Sequence, residues 1–149
     1  MNRTRVDGTK FEKEIEAGLE NLSQPAYYIR LHTPMARLAN VSNIADFVVF
    51  GRSTVILEAK ETKQSSFSLN DFQQKDKIVD FLEFYRHRLT AISPPPHYSL
   101  AILVHFIKNQ KYVLCFFENS DMPKVIHPTN NEGLLFDTLP EVLTYLVSV

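Results

Sequence analysis

The stretch IADFVVFGRSTVILEAK, residues 44–60, decides the fold of this chain. It contains two runs of apolar and β-branched residues, Ile44–Phe50 and Thr54–Ala59, which are separated only by Gly51-Arg52-Ser53. Two such runs around a short glycine-containing connection are typical of a β-hairpin. The sequence therefore predicts two antiparallel strands that pair across this turn.

The second run also predicts which side chains share a face of the sheet. Side chains alternate between the two faces of a strand. Val55, Leu57 and Ala59 are therefore expected on one apolar face. Glu58 and Lys60 are expected together on the opposite face.

The rest of the chain carries alternating helix and strand patterns. Apolar residues at helical spacing predict helices at Asp7–Glu20, Leu69–Leu89 and Pro140–Val147. Runs rich in β-branched and aromatic residues predict strands at Tyr27–Leu31, Ser99–Ile107 and Tyr112–Phe117. The segment Asn119–Thr138 is predicted to be a loop. This order predicts one α/β domain, residues 1–149, with helices flanking a central mixed β-sheet.

The composition excludes several classes of protein. Hydrophobic residues make up 44% of the chain and charged residues 22%, and the apolar runs are too short to cross a bilayer. The first residues lack the apolar segment of a secretory signal, so we expect a cytoplasmic protein with no membrane contact. The single cysteine, Cys115, lies in an apolar strand pattern, which excludes a disulfide framework and a cysteine-based zinc site.

Two carboxylates interrupt the apolar strands of the predicted hairpin. Asp46 lies in the first strand and Glu58 follows in the second, where unpaired carboxylates are costly. Oxygen ligands of this kind suit Mg²⁺, which keeps bound waters available for chemistry. Lys60 could then stabilise charge on a phosphate or orient the attacking water. The alternative is a structural ion pair of Asp46 and Lys60 with Glu58 at a sheet edge.

These residues resemble a known family of nucleases. Asp46 followed by Glu58-Ala59-Lys60 resembles the PD-(D/E)xK nuclease signature. The longer segments EAKETK at 58–63 and SFSLNDF at 66–72 resemble RecU-type Holliday junction resolvases. The resemblance implies a restriction-endonuclease-like core and metal-dependent cleavage of DNA, with Asp46 and Glu58 as ligands of Mg²⁺, for which Mn²⁺ would substitute. It also implies a homodimer acting on four-way junctions, because symmetrical cleavage of two strands needs two active sites.

Further positions match the same family. The segment GTKFE at 8–12 resembles its first-helix motif, which implies that Glu12 joins or positions the metal ligands. On sequence alone, a solvated residue near the positive end of the helix dipole is the favoured interpretation of Glu12. Thr33 and the following proline resemble a Thr-Pro pair of the family, and Gln74 is the best counterpart of its helical glutamine, with Gln73 as the other choice.

The charge balance leaves DNA binding to local clusters. The formal net charge is −1, whereas proteins that bind a polyanion usually carry a basic excess. Lys63, Arg37 and Thr33 are candidate DNA-binding residues. Arg30 and Arg52 also flank predicted strand ends, where loops commonly hold a substrate backbone.

The sequence leaves three functions open. Only eleven residues separate Pro34 from Asp46, where RecU-type resolvases carry a longer insertion, a stalk associated with engaging the junction. The first function is resolution of four-way junctions in recombination and repair. The second is another PD-(D/E)xK activity, on flaps, mismatches, ends or restriction sites. The third is a DNA-binding module without catalysis.

Overall fold

The computed structural model describes residues 8–23, 26–30, 46–68, 98–117, 125–129 and 133–149. Its helices are α1 (Gly8–Glu20) and α2 (Leu139–Ser148). Its strands are β1 (Tyr27–Arg30), β2 (Phe47–Phe50), β3 (Thr54–Thr62), β4 (Phe67–Ser68), β5 (Tyr98–Phe106), β6 (Lys111–Phe117), β7 (Val125–Ile126) and β8 (Leu134–Phe136).

Within the described residues the main sheet has six strands in the order β1-β2-β3-β5-β6-β8, and β4 pairs with β7 in a second, two-stranded sheet. Strands β3 and β5 are parallel, and the other neighbours in the main sheet are antiparallel. The predicted α/β class with a central mixed sheet is therefore confirmed. None of the helices in these ranges is long and apolar enough to cross a membrane.

The predicted hairpin is present as β2 and β3, with Phe47 opposite Leu57 and Phe50 opposite Thr54. Strand β2 begins at Phe47, and the first two residues of the predicted strand, Ile44 and Ala45, lie outside the described residues. Asp46 therefore stands directly before the strand. Its main-chain N–H still donates to the Leu57 carbonyl at 3.0 Å, so the aspartate is held against β3.

The predicted alternation along β3 decides where the core lies. Val55, Leu57 and Ala59 are buried in one cluster with Phe11 and Ile15 of α1. The same cluster includes three buried residues of α2, Val142, Leu143 and Leu146. Both helices thus cover the sheet face that lies opposite to the side chains of Glu58 and Lys60.

The terminal helix follows from its local sequence. Thr138 adopts an extended backbone before α2, and its hydroxyl accepts a hydrogen bond from Glu141 N at 3.4 Å. Pro140 occupies the first turn, where a missing N–H costs no helical hydrogen bond. The prediction of a helix over Pro140–Val147 is confirmed, with one further residue at each end.

One prediction is wrong. Asn119–Thr138 is not a continuous loop, because it contains β7 and β8. Strand β8 pairs with β6 at the edge of the main sheet, yet Leu134 and Leu135 remain exposed. A three-residue strand that does not alternate between buried and exposed positions leaves too short a pattern to detect. The predicted helix Leu69–Leu89 lies outside the described residues.

The β2–β3 turn contacts the end of α2. Arg52 N donates to the Val147 carbonyl at 2.8 Å, and Ser53 Oγ donates to the Val149 carbonyl at 2.9 Å. These bonds satisfy carbonyl groups that a helix end leaves without partners. A Cβ atom on Gly51 would lie 2.5 Å from Val147 O and 2.6 Å from Val147 Cα.

We predict that Gly51→Ala lowers the free energy of unfolding by about 1–3 kcal/mol, because the added methyl group meets main-chain atoms that cannot move aside. Gly18→Ala is the matched control. A Cβ atom there meets only the end of the Leu143 side chain within 3 Å, and alanine favours the helix by up to about 1 kcal/mol. Urea unfolding of both variants tests this, and an equal loss in the two would contradict the steric explanation.

Candidate active site

Asp46 is fixed against β3 by two hydrogen bonds. Besides the main-chain bond to Leu57, its Oδ2 atom accepts a hydrogen bond from Ala59 N at 2.8 Å. The side chain thereby supplies the acceptor that a neighbouring strand would otherwise offer to Ala59. Asp46 is 6% exposed, so its carboxyl group is both buried and oriented by the strand that carries Glu58.

Glu58 is the most deeply buried of these carboxyl groups. Extending the β2–β3 register by one residue places it opposite Asp46. Glu58 is 1% exposed, and its Oε2 atom has no hydrogen-bond partner in the part of the chain that the structure describes. Burial, and then the charge on Asp46, raise the pKa of Glu58 to about 9. The charge on Asp46 therefore opposes the ionisation of Glu58.

Lys60 reaches this pair from the solvent side. It follows Glu58 by two positions on the same strand face, and its Nζ atom lies 3.3 Å from Glu58 Oε1. One third of the Lys60 side chain is exposed (33%). The amine lowers the pKa of Glu58, but burial and the charge on Asp46 outweigh it.

Glu12 of α1 belongs to the same group of charges. Its side chain is 14% exposed. Burial, and then the charge on Asp46, raise the pKa of Glu12 to about 7. Its Oε1 atom is buried and has no hydrogen-bond partner among the described residues, whereas Oε2 lies 3.5 Å from Arg30 Nη2.

Four predicted site residues therefore interact through their side chains, namely Glu12, Asp46, Glu58 and Lys60. Lys63 is exposed in the bend after β3, three positions beyond Lys60. The remaining predictions lie outside the described residues: Gln74, its alternative Gln73, Thr33 and Arg37.

The structural ion pair proposed as an alternative requires a sheet edge. Strand β3, however, lies between β2 and β5 in the interior of the sheet. An ion pair that stabilised the fold would leave Glu58 easier to ionise than in water, whereas its pKa is raised. A carboxyl group whose pKa is raised by burial and by a charged neighbour in this way is typical of functional sites.

Sequence reasoning missed the contacts of Arg30. The predicted role was to hold a substrate backbone near a strand end, but the guanidinium lies between Glu12 and Glu16 of α1. The two glutamates are one helical turn apart on α1, and both lie on the face of the helix that is turned toward Arg30. Only the packing of β1 against α1 reveals this contact, because no local pattern specifies which strand lies beside the helix.

Glu61 lies away from the candidate site, as the alternation along β3 predicts. Its Oε2 atom is 2.6 Å from His105 Nδ1 on the neighbouring strand β5. The imidazole ring stacks on Tyr112, with ring centroids 4.2 Å apart. Glu61 and His105 therefore form a packed contact on the α1 face of the sheet.

The carboxyl groups fit a hard divalent cation. Asp46 and Glu58 offer oxygen donors, and the Oε2 atom of Glu58 and the Oε1 atom of Glu12 are buried without hydrogen-bond partners in the described ranges. No group of three or more His, Cys, Asp or Glu in those ranges is arranged to hold a metal ion. Mg²⁺ is commonly held by one or two carboxylates together with waters and substrate phosphates, and the pair Asp46 and Glu58 matches that number.

Comparisons with known proteins add no assignment. A scan against protein-family models gives no match, and a search of the curated proteins gives none either. The residues of the site and their geometry are therefore the basis for a functional proposal.

We predict that, with divalent cations removed by a chelator, this protein is less stable at alkaline pH than at mildly acidic pH. The pKa of Glu58 rises from 4.5 to about 9 on folding, so the folded state keeps a proton that the unfolded state loses. The free energy of unfolding therefore falls as pH rises through this window. Glu12, with a pKa of about 7, contributes in the same direction.

Urea unfolding at about pH 5.5 and about pH 8.5 measures this difference. Glu58→Gln removes the ionisable group and is expected to reduce the difference by at least about 1.4 kcal/mol, the equivalent of one pKa unit. Glu14→Gln, which alters an exposed carboxyl group on α1, should leave the difference unchanged. Equal pH dependence in Glu58→Gln and the unaltered protein would contradict the assignment.

Proposed function

We propose that this chain is a Mg²⁺-dependent DNA endonuclease with a restriction-endonuclease-like core. The observation that carries the proposal is the pair of buried carboxyl groups of Asp46 and Glu58 on adjacent strands, with the Lys60 amine beside them. Two buried carboxylates without a bound cation lower the free energy of unfolding when both are ionised. A cation and a phosphate would supply the charges that make the arrangement favourable.

Each residue has a definite task in this proposal. The Ala59 N–H keeps the Asp46 carboxylate turned toward the site, so its geometry is set before substrate arrives. Glu58 provides the second carboxylate, and Asp46 and Glu58 together would hold the cation. When bound, Mg²⁺ polarises the phosphodiester and makes the attacking water more acidic.

Lys60 contributes positive charge at the solvent-facing side of the pair. Its partial exposure lets the amine exchange Glu58 for a phosphate oxygen of an incoming strand. There it would stabilise the negative charge that develops as water attacks phosphorus. Glu12 would complete the carboxyl group cluster or orient the cation's ligands.

The substrate proposed first is a four-way DNA junction, cut by a homodimer. The support is the resemblance of residues 58–72 to RecU-type resolvases, and it comes from the sequence alone. Lys63 lies in the exposed bend after β3, three positions beyond Lys60, and in this proposal it contacts a phosphate of the DNA.

A second candidate is a nuclease of the same chemistry that acts on flaps, mismatches, ends or restriction sites. It is favoured by the short separation of eleven residues between Pro34 and Asp46, where the stalk of the resolvases would stand. The catalytic residues would be identical. The two candidates differ only in the DNA structure that is cut.

We predict metal-dependent cleavage by the purified protein, and loss of that cleavage when the site is altered. Labelled four-way junction, flap and linear duplex DNA are incubated with Mg²⁺ or Mn²⁺. Asp46→Asn and Lys60→Ala should each lower the rate by about a hundredfold or more, because charge stabilisation in the transition state is removed. Glu141→Gln, a carboxyl-to-amide change at an exposed position of α2, should cut at the original rate.

The pattern of products separates the candidates. Paired symmetrical nicks near the junction support resolution, whereas equal cleavage of every substrate supports a less selective nuclease. If no DNA is cut with either cation, the nuclease proposal is contradicted and a binding module without catalysis takes its place.

A further inference from the structure

Arg30 links α1 to the strand beside the carboxyl groups. Its Nη2 atom lies 3.5 Å from Glu12 Oε2, and its Nη1 atom lies 3.4 Å from Glu16 Oε2. The two glutamates are four residues apart on α1, so they stand one above the other on the same helix face. The planar guanidinium therefore contacts two carboxyl groups with two different nitrogens.

The sheet register places this guanidinium close to the proposed centre. Arg30 pairs with Phe47 across β1 and β2, and Phe47 directly follows Asp46. All the partners are largely shielded from water, with side-chain exposures of 27% for Arg30, 14% for Glu12 and 24% for Glu16. Shielded ion pairs of this kind are screened less by salt than surface pairs are.

The two oxygens of Glu12 have different surroundings. Oε2 is next to Arg30, and Oε1 is buried with no hydrogen-bond partner in the described part of the chain. The charge on Asp46 acts on Glu12 as a repulsive neighbour. A hydrogen bond between Glu12 and Asp46 also favours the protonated form of Glu12, whereas the charge on Arg30 favours the ionised form. The ion pair with Arg30 therefore opposes the repulsion that the ionised Glu12 carboxylate meets beside Asp46.

We propose that Arg30 is a positioning residue that holds Glu12 beside Asp46, so that the Glu12 carboxyl group is available to the centre formed by Asp46 and Glu58. This role rests on the proposed nuclease function and assigns a supporting residue to the same site. Glu16 anchors the other side of the guanidinium. Arginine suits this task better than lysine, because its rigid fork presents two nitrogens at a fixed separation.

A double-mutant cycle in cleavage kinetics tests the role. Arg30→Gln is expected to lower kcat by about tenfold to a hundredfold, the cost of a misplaced catalytic group, while KM changes by less than about threefold. Glu12→Gln should give a similar loss. Because Arg30 acts through Glu12, the double variant should be no slower than Glu12→Gln alone.

Glu14→Gln is the matched control, since it changes an exposed carboxyl group on the same helix and leaves both glutamates that contact Arg30 in place. It should cut at a rate within about twofold of the unaltered protein. Losses that multiply in the double variant would overturn the proposal. So would a rise in KM at unchanged kcat, which would assign Arg30 to substrate binding. If Arg30→Gln does not fold, the same cycle is run with Arg30→Lys.

The two proposals fail in different ways. If the unaltered chain cuts no DNA, the nuclease function is contradicted, and a crystal structure of Arg30→Gln then decides the positioning role. A Glu12 carboxyl group that turns away from Asp46 in that variant supports it. A Glu12 carboxyl group that stays beside Asp46 overturns it.

Discussion

Burial of Glu58 next to Asp46, in the interior of the main sheet, is the constraint on which the rest of the structure depends. A carboxyl group with 1% exposure and a pKa of about 9 weakens the fold whenever it ionises. An apolar residue at this position of β3 would pack without that cost. Buried carboxyl groups with raised pKa values cluster at functional sites, and the Lys60 amine and the Glu12 carboxyl group belong to the same group of charges.

The fold places these groups by simple means. The hairpin sets Asp46 opposite Glu58, and the Ala59 N–H fixes the aspartate. Because side chains alternate along β3, its apolar side chains pack against α1 and α2, whereas Glu58 and Lys60 lie on the opposite face of the sheet. Helix α1 then supplies Glu12 from its half-buried flank, where Arg30 opposes the repulsion from Asp46. A hairpin, the edge strand β1 and the covering helix α1 thus bring together three carboxyl groups and two basic side chains.

Much of this arrangement could be predicted from local sequence. The hairpin, the two faces of β3 and the helices α1 and α2 depend on patterns contained within about twenty residues, which is where periodicity is informative. Strands β7 and β8 could not be predicted, because a strand of two or three residues is too short to show an alternating pattern of apolar and polar side chains. The contacts of Arg30 were missed for a different reason. They depend on which strand lies beneath α1, and that is decided by packing between segments distant in sequence. The assignment of Glu12 to the candidate site depends on the family resemblance alone, because a glutamate on a helix does not by itself indicate a function.

The proposed binding of a divalent cation by both Asp46 and Glu58 can be checked by locating that cation in a crystal. Crystals grown with Mn²⁺ and measured at a wavelength where manganese scatters anomalously would show its position. We expect an anomalous peak within bonding distance of carboxyl oxygens of both Asp46 and Glu58, with the Lys60 amine withdrawn from Glu58. A map without a peak there, in which Glu58 remains paired with Lys60 at saturating Mn²⁺, would contradict it.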